Sequence, residues 1–155
     1  QKALLQRVSI PRENVHRVKT ELNPKLSASS YEDEMKLFFK GCWPDFDLVL
    51  LGMGTDGHTA SLFPNTTALN EEERWFVANY LPGQAAWRLT LTKNAINMAR
   101  KIVVLVNGQS KADMLVKVLQ NAYDPFNKPI QLIAPRDGKM VWLLDRAAAS
   151  QLRGL

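Results

Sequence analysis

The sequence predicts an α/β fold with a largely parallel sheet. Apolar runs of strand type at 47–51 and 101–106 alternate along the chain with segments of helical spacing such as 111–120. Both runs stop at a glycine-marked exit, Gly52 in one and Gly108 in the other, and an open parallel sheet collects its ligand groups at such an edge. The length, 155 residues, is that of one domain able to bury its own core.

Taken in order, residues 2–8 read as the end of an amphipathic helix, broken by Ser9-Ile10-Pro11. The chain opens with Gln, not Met, and in mid-helix, so further sequence upstream is expected. Asn14-Val15-His16-Arg17-Val18 alternates like a short strand, and 22–30 is polar loop. Ser29 or Ser30 is placed to cap a helix over 31–41, with Glu32, Asp33 and Glu34 in a first turn where they complement the helix dipole. Trp43-Pro44-Asp45 turns the chain into the buried strand 47–51. A helix of about two turns is expected between Gly57 and Pro64. Beyond the polar stretch 65–74 come a strand at 75–80, a turn at Leu81-Pro82-Gly83 and a strand at 88–92. Helical spacing follows over 93–100, then the strand 101–106, and Ser110 is placed to cap the helix 111–120. Residues 130–133 fit helix or strand; 139–144 reads as the last strand and 146–152 as a terminal helix.

Composition narrows the function. The formal net charge is +5, but Lys and Arg are scattered without interleaved aromatics, which suits a small anionic substrate better than nucleic acid. No apolar run approaches the length of a membrane-spanning helix, so no membrane partner is expected. A single cysteine, Cys42, provides no disulfide framework and fits a reducing compartment, with the cytoplasm as the expected location.

The chemistry concentrates after the first buried strand, in Gly52-Met53-Gly54-Thr55-Asp56-Gly57-His58. The loop formally satisfies the dinucleotide pattern G-x-G-x-x-G. Against that reading, Pro64 cuts short the helix the pattern should open, and the acidic residue expected ~20 positions on is not in place. Asp56 and His58, flanking a glycine, are the distinctive feature. A neutral imidazole can take a proton from water near neutrality, while Asp56 orients the ring or binds a substrate hydroxyl. The bland alternative is a helix cap at Asp56 with His58 packed behind it, which explains neither the histidine nor the three glycines. A serine nucleophile at Ser61 lacks the G-x-S-x-G elbow. Metal catalysis lacks ligands, because His16 and His58 are the only histidines and no paired-cysteine or H-E-x-x-H spacing occurs. Arg88 opens a strand, and Lys111 stands in the first turn of a helix, where a cation opposes the dipole unless an anion is bound. Together they are a candidate phosphate clamp.

These residues resemble a known family. The stretch from Leu51 through Gly52-Met53-Gly54-Thr55-Asp56-Gly57-His58-Thr59-Ala60-Ser61-Leu62-Phe63 to Pro64 is similar to the signature of 6-phosphogluconolactonases. Weaker likenesses follow in the family's order: Ile10-Pro11, Glu13-Asn14-Val15-His16-Arg17, Arg88-Leu89-Thr90-Leu91-Thr92, Gly108 with Lys111, and Val141-Trp142-Leu143-Leu144-Asp145. The resemblance implies a Rossmann-like three-layer fold, here without the family's N-terminal strands, so that residues 1–155 would be one domain corresponding to the C-terminal two thirds of a family enzyme. It implies hydrolysis of a sugar phosphate lactone, 6-phospho-D-glucono-1,5-lactone, without cofactor, by a monomer or weak homodimer. His58 would be the general base with Asp56 supporting it, and Gly54, Gly57, Arg88 and Lys111 would bind substrate. The related glucosamine-6-phosphate deaminases carry a similar loop with a different ending, so deaminase or isomerase chemistry stays open, as does a module that only binds sugar phosphate. The N-terminal phosphate loop and an Asp-Glu-Arg segment of family members have no counterpart in these residues.

Overall fold

A computed structural model describes residues 5–154. Its elements are α1 (Pro24–Phe38), β1 (Val49–Gly52), β2 (Phe76–Leu81), β3 (Ala86–Leu91), α2 (Lys93–Asn97), β4 (Lys101–Val106), α3 (Ala112–Leu119) and β5 (Lys139–Leu144). Strands β1, β4 and β5 form a parallel three-stranded sheet in the order β1-β4-β5. Val49 is level with Ile102, and Val104 with Trp142. A second sheet is the antiparallel hairpin β2–β3, in which Asn79 faces Arg88 and Val77 faces Thr90.

Alternation along the parallel strands explains the core. Val49 and Leu51 of β1, with Ile102, Val104 and Val106 of β4, pack against Leu115 and Val118 of α3 and against Leu62, Leu69 and Ile130 from the connections. Each fully buried aliphatic side chain contributes roughly 1.5–3 kcal/mol of apolar transfer. A second cluster seats α1 on the hairpin through Ala28 and Met35 against Trp75 and Phe76, with the Tyr31 and Phe76 rings 4.8 Å apart, edge to face.

Several expected boundaries move, each for a physical reason. Helix α1 starts at Pro24 and not at Tyr31, because the Asn23 side chain accepts the Lys25 N–H at 3.0 Å and Pro24 occupies the first helical position, where its missing N–H costs nothing. Ser29 and Ser30 therefore lie inside the helix, and Glu32 sits in its middle. Residues 14–18 do not form a ladder; Arg12–Asn14 is a 3-10 turn and an extended segment follows.

The expected helix after Gly57 is replaced by tight turns. Within that span Ala60 (φ 48°) adopts left-handed backbone, which a right-handed helix excludes. Ser110 does not cap α3: a 3-10 turn, Gln109–Lys111, leads into Ala112, and the Asp145 carboxylate instead accepts the Gly108 N–H. The ambiguous segment resolves as the 3-10 turn Pro129–Leu132. Helix α2 stops at Asn97, and residues 146–152 make turns anchored on Asp145, not a helix. Of the expected N-terminal helix, residues 2–4 lie outside the described residues and 5–8 form turns.

Candidate active site

Strand β1 delivers its loop at the C-terminal edge of the parallel sheet. The loop closes on itself: the Gly54 N–H donates to the His58 carbonyl at 2.8 Å, and the Gly57 N–H donates to the Gly54 carbonyl at 3.2 Å. Thr59, fully buried, donates its hydroxyl to the Gly52 carbonyl at 2.8 Å and ties the loop's far end to the strand. Gly54 has no room for a side chain, because a Cβ there would run into the His58 ring and the Asp56 carboxylate. Gly57 needs its left-handed φ of 79° and packs on Lys128.

Within this frame the Asp56 Oδ1 accepts both the His58 backbone N–H at 3.1 Å and a bond from the ring Nδ1 at 2.6 Å. Partial burial pushes the Asp56 carboxyl upward, but the His58 backbone N–H and ring together outweigh it and hold the carboxyl below its ordinary value. An ionised carboxylate accepts only, so the ring hydrogen belongs on Nδ1 and Nε2 is left as the basic atom. On its face the imidazole stacks against Phe63, with centroids 4.1 Å apart and planes 21° from parallel.

His58 lines a cleft of about 620 Å³ together with Gly54, Ala60, Ser61, Thr90 and Lys111. Four of the six residues read from sequence thus meet: His58, Gly54 and Lys111 on the cleft wall and Asp56 behind the imidazole. Lys111 arrives from the exit of β4, just beyond Gly108, whose φ of 90° turns the chain. Arg88 and Gly57 are not on that wall. The Arg88 guanidinium lies in an adjoining groove, which shares Ser61 and Leu89 with the cleft, and donates to Gln84 Oε1 at 2.9 Å. Gly57 shapes the loop from the side away from the cleft.

Three contributors escape sequence reasoning. Phe63 is aromatic five residues from His58, and no local spacing rule aims it at the ring. Thr90 and Asn79 belong to the hairpin, 29 and 18 positions from the Ser61 backbone they hold. The only sequence signal is a hydroxyl or amide in an otherwise strand-like run. Among the described residues no three His, Cys, Asp or Glu side chains gather where they could hold a metal ion.

A dyad of carboxylate and imidazole beside a lysine, at the C-terminal edge of a parallel α/β sheet, defines the class as a small-molecule site at a parallel-sheet edge. Residues 1–142 match the family model of glucosamine-6-phosphate isomerases/6-phosphogluconolactonase, and the chain belongs to that family. It is 43% identical over 155 residues to a 6-phosphogluconolactonase of Synechocystis sp., covering 97% of this chain and 63% of that one. A human 6-phosphogluconolactonase is 37% identical, with 96% and 58% covered. Among solved structures, the devB protein superposes with a TM-score of 0.86 at 30% identity, covering 95% of this chain and 62% of that one. The 6-phosphogluconolactonase of Trypanosoma cruzi gives 0.81 at 27% identity, with 99% and 64% covered. The chain thus spans a little under two thirds of the length of these relatives.

Proposed function

We propose that this chain carries the hydrolysis of 6-phospho-D-glucono-1,5-lactone to 6-phospho-D-gluconate, the lactonase step of the oxidative pentose phosphate pathway. It works in the cytoplasm as a monomer or weak homodimer and needs no metal or organic cofactor. The observation that carries the reading is the Asp56–His58 pair, whose 2.6 Å bond at Nδ1 leaves Nε2 as the base of an imidazole on the cleft wall. Relatives named 6-phosphogluconolactonase support the same substrate.

In this reading Nε2 removes a proton from water as the water oxygen adds to the lactone carbonyl carbon. The tetrahedral intermediate collapses with cleavage of the bond between that carbon and the ring oxygen, and the imidazolium returns its proton to the leaving oxygen. Asp56 stabilises the imidazolium without becoming protonated. Lys111 holds the phosphate or the developing oxyanion, Arg88 serves the phosphate from the adjoining groove, and the Gly54 backbone on the cleft wall lets substrate approach while Gly57 only sets the turn of the loop.

The test is acid release from the lactone by the intact chain and by His58→Gln. The variant is expected to lose at least ~100-fold in turnover, the usual contribution of a general base. Near-normal turnover in the variant removes His58 from the role. Saturable binding of 6-phosphogluconate with no turnover by the parent chain replaces the enzyme by a binding module, and ammonia release from glucosamine 6-phosphate replaces the lactonase by a deaminase.

A further inference from the structure

We infer that Asn79 and Thr90, two buried side chains of the β2–β3 hairpin, are positioning residues that hold the His58 imidazole through the turn following it. The inference rests on His58 being the base. Thr90 Oγ1 accepts the Ser61 N–H at 3.1 Å and passes its own hydrogen to the Leu91 carbonyl at 2.8 Å. Asn79 Nδ2 donates to the Ser61 carbonyl at 2.9 Å and to Thr66 Oγ1 at 3.0 Å. Thr66 in turn donates to the Phe63 carbonyl at 2.8 Å. Both polar groups of residue 61 are thus gripped from the hairpin, and the grip brackets Phe63, whose ring covers His58.

Two features say that this grip is more than packing. Asn79 is wholly buried, yet its Oδ1 has no hydrogen-bond partner. Such an orphan costs stability that an apolar residue of the same size would not, and the amide cannot be turned over without setting Oδ1 against the Ser61 carbonyl. Ala60, next to the clamped peptide, carries a left-handed φ of 48° that a residue with a Cβ keeps only where its surroundings enforce it. Pleating puts Val77, Asn79, Arg88 and Thr90 on one face of the hairpin, so the clamp and the Arg88 cation share a rigid support.

The test pairs Thr90→Val, which keeps the volume and removes the acceptor, with Thr90→Ser, which restores it. The readouts are the 15N–1H signals of the His58 ring, assigned against His16, the other histidine of the chain, and kcat and KM for lactone hydrolysis. Thr90→Val is expected to shift or broaden the His58 ring signals and to lower kcat about tenfold with KM unchanged, the effect of one hydrogen bond on an orienting group. Thr90→Ser is expected to recover both. Thr66→Val, at a half-buried position in the same relay, carries the test if Thr90→Val does not fold. His58 ring signals unchanged in Thr90→Val or Thr66→Val, or a Thr90→Ser variant as impaired as Thr90→Val, overturn the inference. If the parent chain releases no acid from the lactone, the functional reading fails, and the ring signals still decide the clamp.

Discussion

At the scale of single residues, Gly54 decides whether the dyad can form. The space a Cβ would occupy is filled by the His58 ring and the Asp56 carboxylate, so any side chain at this position must displace one of them. Gly54→Ala is expected to break the Asp56–His58 bond and to destabilise the chain by about 1–3 kcal/mol, as overpacking does. A urea midpoint and the His58 ring spectrum check both, and a ring spectrum unchanged from the parent would contradict the geometry. Asp56, Gly54 and His58 were legible from sequence because their relation is local: four residues apart at most, after a strand end. Phe63, Asn79 and Thr90 were not, because their contribution depends on how the turn after His58 folds back and on which hairpin face meets it, and the turn itself was read as a helix. Arg88 was legible as a cation at a strand start but not in its side-chain direction, toward Gln84 and out of the cleft.

Among the elements, α1 is where pattern reading and structure diverge most, and Glu32 shows why. A first-turn acid would complement the helix dipole; seven residues further into the helix the same carboxylate, 4% exposed, ties α1 to the start of the hairpin instead. Its Oε1 accepts the Trp75 N–H at 2.6 Å, and its Oε2 accepts Arg74 Nε and Nη2 at 3.0 and 2.8 Å. Burial pushes this carboxyl upward, and Arg74, the Trp75 N–H and Lys36 together more than reverse it, leaving its folded-state value below the ordinary 4.5. A depressed folded value means that the unfolded chain binds the proton more readily. The stabilisation from Glu32 is therefore complete above 4.5 and fades as the pH falls through the lower folded value. Glu32→Gln is expected to cost about 1–3 kcal/mol near neutrality, with the gap to the parent closing in acid. Thermal midpoints across the acid range check it, and a gap that widens in acid would reverse the sign of the argument. The strands fared better: 101–106 and 139–144 were read with the bounds observed, because continuous β-branched and aliphatic runs leave little choice of element.

On the scale of the whole molecule, the parallel sheet poses the question the sequence did not raise. Near-continuous apolar strands read as buried on both faces, the usual state of a parallel sheet covered by helices above and below. Here the pleat divides them. Val49, Leu51, Ile102 and Val104 face the core, while on the opposite face Leu50 is 62% exposed, Leu143 52% and Leu105 48%. Register sets Leu105 beside Leu143, and Leu50 lies on the edge strand β1. Among the described residues no helix covers this side and no strand pairs with the outer edge of β1, and an apolar surface of that kind, in the chain as described, favours association. The double substitution Leu50→Lys and Leu143→Lys is expected to leave the unfolding free energy within about 0.5 kcal/mol of the parent, since both side chains are more than half exposed and a lysine stem can cover the same surface. It should also lower the binding of an environment-sensitive apolar dye and move sedimentation toward the monomer. A loss of several kcal/mol would instead mean that this face is packed in solution, and unchanged dye binding would place the accessible apolar surface elsewhere. Leu50 also lines the cleft beside His58, whereas Leu143 does not, so Leu143→Lys alone should leave acid release from the lactone at the parent's level, separating the exposed apolar face from the proposed site.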